Sequence, residues 1–140
     1  MTLYVLDTDI SSYIIKKRPV EVLQALEAKA LGGDEIVISV VTYAELMQGL
    51  AQSSHPGKHE PAVTAFLQSL HGVLPWDQAT ADQWAVLFTE LKRAGTPIGP
   101  EDTMIAAHAL SLGATLVTNN ERHFCRISGL LRENWAKTDV

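Results

Sequence analysis

Cysteine and charge are both scarce in this chain of 140 residues. The single cysteine, Cys125, excludes an internal disulfide and a zinc cluster built from several cysteines, and it indicates a reducing compartment. Charged residues make up 19% and hydrophobic residues 46% of the chain, a balance that excludes both a disordered chain and a coiled coil. We therefore expect a globular protein with a sizeable core, folded as one domain over residues 1–140.

Long hydrophobic runs are also missing. No run approaches the roughly 20 apolar residues of a membrane-spanning helix. The first ten residues contain Asp7 and no basic segment, so they do not resemble a signal peptide. These features predict a cytoplasmic protein that does not act at a membrane.

Basic residues are fewer than acidic ones. The chain has eleven Lys and Arg and sixteen Asp and Glu, which gives a net charge of −5. This balance argues against passive binding to a phosphate backbone, and composition alone favours a small-molecule or protein partner. Carboxylates that hold a divalent cation are neutralised by it. An acidic protein that acts on nucleic acid therefore needs a metal, local basic patches, or both.

Apolar runs alternate with helical patterns along the chain. The runs predict buried strands at Leu3–Leu6, Glu35–Val41, Val73–Leu74 and Ala114–Thr118, with a short fifth starting at Leu130–Leu131. Helices are predicted at 10–17, from Pro19 to Ala30, and at 42–52, 61–70, 79–94 and 100–112. Continuous apolar strands separated by helices indicate a parallel sheet covered on both faces. The expected architecture is a three-layer α/β fold with a central, mostly parallel sheet of four to five strands.

Three acidic residues fall where such sheets bind ligands, beyond the carboxyl ends of the strands. Asp7 ends the first strand, Glu45 is predicted in the first turn of the helix after the second strand, and Asp102 in the first turn of the helix before the fourth. Each also has a structural explanation. Asp7 suits a helix cap, Glu45 and Asp102 suit a helix dipole, and Thr42 with Glu45 has the spacing of a capping box.

Together the three carboxylates indicate a metal site. Converging carboxylates repel one another and are tolerated when they share Mg²⁺ or Mn²⁺. Oxygen ligands without accompanying Cys or paired His exclude a structural zinc site. A divalent cation held in this way activates water for attack on a phosphodiester. The acids therefore predict metal-dependent phosphodiester cleavage.

Longer stretches carry a family resemblance. They are LDTDIS at 6–11, SVVTYAEL at 39–46, GTPIGPED at 95–102, MIAAHA at 104–109, LVTNN at 116–120, RISGL at 126–130 and ENW at 133–135. In these stretches, in order and over essentially its whole length, the chain resembles the PIN-domain ribonucleases, and among them the VapC-type toxins of bacterial toxin–antitoxin modules. The part from Gly95 to Asn120 is the most specific.

The resemblance implies which residues form the site. Asp7, Glu45 and Asp102 are implied to be the catalytic acids that hold Mg²⁺ (or Mn²⁺). Side chains expected to orient acids or waters around them are Thr8, Ser11, Thr118, Asn119, Asn120 and Glu121. The family's fourth acidic position falls at Asn119 or Asn120. His123 stands where close relatives usually carry an acid, and Glu121 is the carboxylate that could replace it.

The resemblance also implies a function and partners. It implies a metal-dependent endoribonuclease that cleaves structured RNA such as tRNA or rRNA loops, a homodimer, and a small VapB-type antitoxin, whose basic character the pI of 5.4 would suit. We expect the antitoxin tail to insert an arginine among the three acids, and its apolar residues to lie near Ile14, Ile15 and the helix of Glu45. Two alternatives stay open: a housekeeping PIN-fold nuclease without an antitoxin, and a non-catalytic binding module.

Other residues have structural explanations. We expect His108 to be a packed, hydrogen-bonded histidine, Asp77 a helix cap, and Cys125 a small buried hydrophobe. The run from Lys16 to Arg18 is typical of a solvated helix end, with a grip on RNA phosphates as a secondary role.

Overall fold

The computed structural model of the chain describes residues 1–136. Its strands are β1 Leu3–Leu6, β2 Glu35–Ser39, β3 Gly72–Leu74, β4 Thr115–Val117 and β5 Arg132–Glu133. Its helices are α1 Thr8–Lys16, α2 Val20–Leu31, α3 Val40–Ala51, α4 Pro56–Ser69, α5 Gln78–Arg93, α6 Pro100–Leu112 and α7 Glu121–Phe124. The strands form one sheet in the order β3-β2-β1-β4-β5, and each neighbouring pair is parallel. The predicted α/β fold with a parallel sheet is confirmed.

The strand order reverses direction at β1, the central strand. The chain adds β2 and then β3 on one side of β1, and β4 and then β5 on the other. The Asp7 N–H donates to the carbonyl of Val117 at 3.0 Å, which ties the end of β1 to the end of β4. The crevice beyond these two strand ends is the place where sheets of this kind bind ligands.

Apolar side chains cover both faces of the sheet, because successive residues of a strand point to opposite sides. On one face Val5 and Leu116 pack with Leu87 of α5 and Ile105 of α6. On the other face the buried residues Tyr4, Leu6, Ile36 and Ile38 pack with residues of α1 to α4, among them Ile10, Val22, Leu46 and Phe66. The expected three layers are therefore present.

Helix α3 begins earlier than the sequence pattern predicts. The hydroxyl of Ser39 accepts a hydrogen bond from the Val41 N–H at 3.1 Å and caps the helix, so β2 ends at Ser39. Thr42 then lies inside the first turn, and the predicted capping box with Glu45 is wrong. Ser39 serves as the cap because its short hydroxyl side chain already stands at the end of the strand.

Three further boundaries differ from the sequence prediction. Helix α4 begins at Pro56, five residues before the predicted start at residue 61, because proline suits the first turn of a helix. The short helix α7 was not predicted, and β5 lies at Arg132–Glu133, just after the expected start at Leu130–Leu131. Among the helices of residues 1–136, none combines the length and the apolar character needed to cross a membrane.

Candidate active site

The candidate site lies beyond the carboxyl ends of β1 and β4. Asp7 directly follows β1, and the segment 118–120 directly follows β4. Glu45 reaches the site from α3, and Asp102 from the first turn of α6. The helices and strands therefore deliver the predicted acids to one edge of the sheet.

Asp7 is both a helix cap and a buried acid. Its Oδ1 accepts a hydrogen bond from the Ile10 N–H at 2.8 Å and so caps α1. Only 3% of the residue is exposed. Burial raises the pKa of Asp7 to about 7, although hydrogen bonds from Thr118 and from the Ile10 N–H act in the opposite direction. A carboxyl group this buried is costly to ionise unless a cation accompanies it.

Glu45 is held by a residue from another helix. The Thr8 hydroxyl, at the start of α1, donates to Glu45 Oε1 at 2.8 Å and lies 3.2 Å from the hydroxyl of Thr42. Burial raises the pKa of Glu45, and the Thr8 hydrogen bond lowers it. Since α3 starts at Val40, Glu45 lies in the second turn, where the helix dipole contributes little. The helix dipole, which the sequence offered as a structural explanation, therefore does not account for an acid at position 45.

Asp102 is held from the segment that follows β4. Its Oδ2 accepts a hydrogen bond from Asn120 Nδ2 at 3.3 Å and lies 3.4 Å from His123 Nδ1. Asn120 Nδ2 also lies 3.0 Å from His123 Nδ1. Asp102 stands in the first turn of α6, so it complements the helix dipole as well.

The charge of Asp102 acts on the other two acids. After burial, the negative charge of Asp102 contributes to the raised pKa of both Asp7 and Glu45, and so does the charge of Asp9. Within residues 1–136, neither Asp7 nor Glu45 forms an ion pair with a lysine or an arginine. Asp7 and Glu45 therefore concentrate negative charge that no lysine or arginine of this part of the chain neutralises.

The donor atoms suit a hard cation, but their arrangement is not a finished metal site. Carboxylate oxygens are the ligands that Mg²⁺ and Mn²⁺ prefer, and Asp7, Glu45 and Asp102 supply them. In the described part of the chain, however, no three His, Cys, Asp or Glu side chains are close enough to hold an ion as they stand. All three acids could hold one cation only if their side chains moved closer together.

Thr118 links the acids to the end of β4. It is fully buried, its side chain bonds the Asp7 carboxyl group, and its hydroxyl accepts from the Asn120 N–H at 2.9 Å. Thr118 therefore contacts the Asp7 carboxyl group directly, and its orienting role stays a prediction. Ser11 differs, because its hydroxyl donates at 2.8 Å to the backbone carbonyl of Asp7 and bonds the helix rather than a carboxylate.

The two asparagines after β4 point in different directions. Asn120 reaches Asp102, whereas Asn119 Nδ2 donates to the hydroxyl of Tyr13 at 3.2 Å and Asn119 Oδ1 accepts from Asn134 Nδ2 at 2.9 Å. Asn134 Nδ2 also donates to Glu121 Oε2 at 3.2 Å. Of the two candidates for the family's fourth position, Asn120 is the one beside the acids.

Sequence reasoning missed two residues near this site. Asp9, exposed and two residues after Asp7, adds negative charge, and its spacing from Asp7 was the available signal. Tyr13 binds Asn119 although 106 residues separate them. No local pattern distinguishes Tyr13 from an ordinary core residue of α1, so its role required the structure.

Three residues outside the acid cluster were expected to have structural roles. His108 is buried, its Nδ1 lies 2.8 Å from the Ser39 hydroxyl, and it is the packed histidine expected. Asp77 caps α5 by accepting from the Thr80 N–H at 2.8 Å, as expected. The expectation for Cys125 is wrong, because Cys125 is exposed.

Comparison with known proteins places the chain in a family. The model of the family described as "PIN domain" matches residues 4–130. A tRNA(fMet)-specific endonuclease VapC of Shigella flexneri is 38% identical over 136 residues, which is 97% of this chain and 100% of the relative. Ribonuclease VapC2 of Haemophilus influenzae is 38% identical over 135 residues, which is 96% of this chain and 99% of the relative.

Solved structures show the same likeness. VapBC2 from Rickettsia felis, bound to a DNA fragment from their promoter, matches with a TM-score of 0.89 at 36% identity, over 96% of this chain and 99% of that chain. DNA-bound VapBC from Salmonella typhimurium matches with a TM-score of 0.87 at 36% identity over the same shares.

Proposed function

Because this chain belongs to the PIN domain family, among its VapC-type members, we propose that it is an endoribonuclease and the toxin of a toxin–antitoxin pair. The observation that carries the proposal is the meeting of Asp7, Glu45 and Asp102 at one sheet edge, in a chain that is 38% identical to a VapC endonuclease along its length. A helix cap alone does not require the carboxyl group of Asp7 to be buried without a Lys or Arg partner in residues 1–136. Glu45, moreover, is not a cap.

The proposed cofactor is Mg²⁺ or Mn²⁺, held by Asp7, Glu45 and Asp102. When bound, the cation would polarise the scissile phosphate and activate a water molecule for its attack. The chain's own residues fix the acids: Ile10 and Thr118 hold Asp7, and Thr8 holds Glu45. Asn120 and His123 hold Asp102 through its Oδ2.

The proposed substrate is structured RNA. The Shigella relative is named for its action on initiator tRNA, so initiator tRNA is the first substrate to test. Electrostatic repulsion by the acids means that the RNA has to be held by positive charge elsewhere on the protein or by the cation.

The proposed partner is a VapB-type antitoxin, since the matching structures are VapBC complexes. An apolar groove of about 570 Å³ on the outer side of α1 offers a place for its apolar segment. The groove is lined mainly by apolar side chains of α1, α2 and α4, among them Ile14, Ile15, Leu23, Leu26 and Phe66. Ile14 and Ile15 were expected there, whereas the second wall is formed by α2 and α4 rather than by the helix of Glu45.

The homodimer implied by the family resemblance stays a prediction. Light scattering of the purified chain, alone and with its antitoxin, measures it directly. A mass of about 15.3 kDa for the free chain at working concentration would contradict it.

Cleavage mapping tests the enzymatic proposal. The purified chain is incubated with total RNA and Mg²⁺, and new RNA ends are sequenced. We expect the wild type and the matched control Asp82→Asn, an exposed carboxylate on α5, to cut at the same few sites. Asp7→Asn should not cut there. Absence of cutting by the wild type, or equal cutting by Asp7→Asn, would contradict the proposal.

Growth separates the toxin from a housekeeping nuclease. Expression of the wild type alone should arrest cells, and co-expression of the antitoxin should restore growth. The Asp7→Asn variant should permit growth without any antitoxin. Arrest that the neighbouring antitoxin gene does not relieve would favour the housekeeping alternative.

A further inference from the structure

A basic pocket lies on the side of α1 that faces the end of β4. It has a volume of about 490 Å³ and is lined by Tyr13, Lys16, Arg18, Pro19, Asn119 and Ala136. We propose that this pocket binds a backbone phosphate of the RNA substrate, away from the phosphate that is cleaved. The proposal rests on the ribonuclease function proposed above and names the residues that hold its substrate.

The end of α1 builds the pocket. Lys17 has a φ of 59°, in the left-handed region, and so ends the helix. The chain then turns back, and the Arg18 N–H donates to the carbonyl of Tyr13 at 3.0 Å. This turn brings Arg18 beside Tyr13 and Lys16, so that two cations share one pocket.

The opposite wall is polar and held in place. Asn119 donates to the hydroxyl of Tyr13 and accepts from Asn134, as described above. Because the Tyr13 oxygen is the acceptor in its bond with Asn119, its own O–H proton remains able to donate. The pocket therefore combines two cations with hydrogen-bond donors, which is the chemistry that binds a phosphate.

The two cations are available to a ligand. Lys16 and Arg18 are exposed, and within residues 1–136 neither forms an ion pair. Lys29 shows the contrast, because its Nζ lies 3.8 Å from Glu133 Oε1 and its charge is used within the fold. The run from Lys16 to Arg18 holds three of only eleven Lys and Arg residues in the chain.

The position of the pocket suits RNA that crosses the acids. Helix α1 begins beside Asp7, and its nine residues carry Lys16 about 13 Å away at 1.5 Å per residue. Asn119 directly precedes Asn120, the partner of Asp102. An RNA strand that places one phosphate at the acids can therefore place another in the pocket, where positive charge offsets the repulsion by the acids.

Helix α1 separates this pocket from the proposed antitoxin groove. Ile14, Ile15 and Lys17 line the apolar groove, whereas Tyr13, Lys16 and Arg18 line the basic pocket. Substitutions in the pocket should therefore weaken RNA binding. They should leave unchanged the binding of an antitoxin in the groove on the other side of the helix.

The test is the double variant Lys16→Gln/Arg18→Gln, with Lys58→Gln, an exposed lysine of α4, as the control. Steady-state cleavage of initiator tRNA should show KM raised about tenfold or more, with kcat within about twofold of the wild type. RNA binding is measured separately, by fluorescence anisotropy in the Asp7→Asn background over a series of salt concentrations. The logarithm of the association constant decreases linearly with the logarithm of the salt concentration. The magnitude of this slope should be smaller by about 0.7 for each phosphate that the variant no longer neutralises.

The outcomes distinguish a failure of the phosphate pocket from a failure of the proposed ribonuclease function. If the wild type cuts no RNA, the ribonuclease function itself fails. If the wild type cuts RNA and the double variant keeps both its KM and its salt slope, only the phosphate pocket is overturned. Unchanged KM together with weaker antitoxin binding would assign the pocket to the antitoxin and also overturn the proposal. If the double variant unfolds, Lys16→Gln alone is measured, with the same expected direction.

Discussion

The Thr8 hydroxyl donates a 2.8 Å hydrogen bond to the Glu45 carboxylate, although 37 residues separate them in the chain. Thr8 is the first residue of α1, directly after the Asp7 cap, so one short segment holds two of the three acids. The bond uses Oε1 of Glu45. Thr8 is therefore a positioning residue for Glu45.

The first prediction concerns Thr8→Val. The change removes the hydroxyl at nearly constant volume, so Glu45 loses its orientation, and its pKa rises because the Thr8 bond lowers it. We expect Mn²⁺ binding, measured by electron paramagnetic resonance, to weaken by about 1 kcal/mol, or roughly fivefold. Thr8→Ser should restore it.

A matched control for this change is Thr89→Val, because the Thr89 hydroxyl donates only to the carbonyl of Ala85 in its own helix. It should leave Mn²⁺ affinity unchanged. Equal affinities of Thr8→Val and the wild type would show that Thr8 does not position Glu45 for the metal.

The second prediction concerns Asp7→Asn in metal-free protein. Asp7 has a pKa of about 7 in the folded state against about 3.8 in the unfolded state. The folded state therefore holds the proton more tightly, and the contribution of Asp7 to the free energy of unfolding falls as pH rises from about 4 to about 7. At pH 8 with EDTA, Asp7→Asn should be more stable than the wild type, on the order of 2–3 kcal/mol, since Asn keeps the cap and carries no charge.

Chemical denaturation at two pH values checks this prediction. At pH 4, where the folded-state carboxyl group is protonated, the difference should largely vanish. Mn²⁺ added at pH 8 should stabilise the wild type and not Asp7→Asn, because a ligand stabilises the state that binds it. A variant that is less stable than the wild type at pH 8 without metal would contradict the expected cost of the buried charge.

Local signals in the sequence predicted much of the fold and the position of the three acids at one edge of the sheet. The bounds of α6 follow from Pro100 at its start and Gly113 after its end, and these were predicted without error. Asp7 was predicted both as a cap and as an acid of the site, because a short apolar strand ends directly before it. The predicted cap at Thr42 failed because Ser39, three residues earlier, serves equally well.

Contacts between distant segments could not be predicted. The sequence left Asn119 and Asn120 as equal candidates, and their separation depends on two contacts. The Thr118 hydroxyl accepts a hydrogen bond from the Asn120 N–H, and the Tyr13 hydroxyl of α1 accepts one from Asn119 Nδ2. Neither contact leaves a periodic pattern in the chain, so the sequence alone could not decide which asparagine adjoins Asp102.

The third prediction concerns His108, which joins α6 to Ser39 at the end of β2. Burial lowers its pKa below the usual 6.5, with Asp77 acting in the opposite direction. Below about pH 6.5 the unfolded chain therefore gains a proton that the folded chain does not. His108 should therefore contribute a slope by which the free energy of unfolding falls as pH drops from 6.5 to its folded-state pKa, by at most about 1.4 kcal/mol per pH unit, and the contribution of Asp7 over this range has the opposite sign.

His108→Asn should remove this slope and lower stability by about 1–2 kcal/mol at pH 7.5, because the variant lacks the bond to Ser39 and the packing of the ring. Urea denaturation between pH 5 and 8 measures both effects. His55→Asn, an exposed histidine, is the control and should keep the slope. An identical pH dependence of the wild type and His108→Asn would assign that dependence to other groups.

The fourth prediction is that antitoxin binding lowers the affinity of the site for Mn²⁺. Asp7 and Glu45 have no Lys or Arg partner within residues 1–136, and a guanidinium binds carboxylates through two charge-assisted bonds. From Ile14 in the apolar groove, the start of α1 is only about 10 Å away at 1.5 Å per residue, so an antitoxin chain that leaves the groove can bring an arginine to the acids. Mn²⁺ titration of the complex should show weaker binding than the free chain, and an antitoxin with that arginine changed to glutamine should restore it. Equal Mn²⁺ affinity in the complex and the free chain would mean that the antitoxin inhibits by covering the path of the RNA alone.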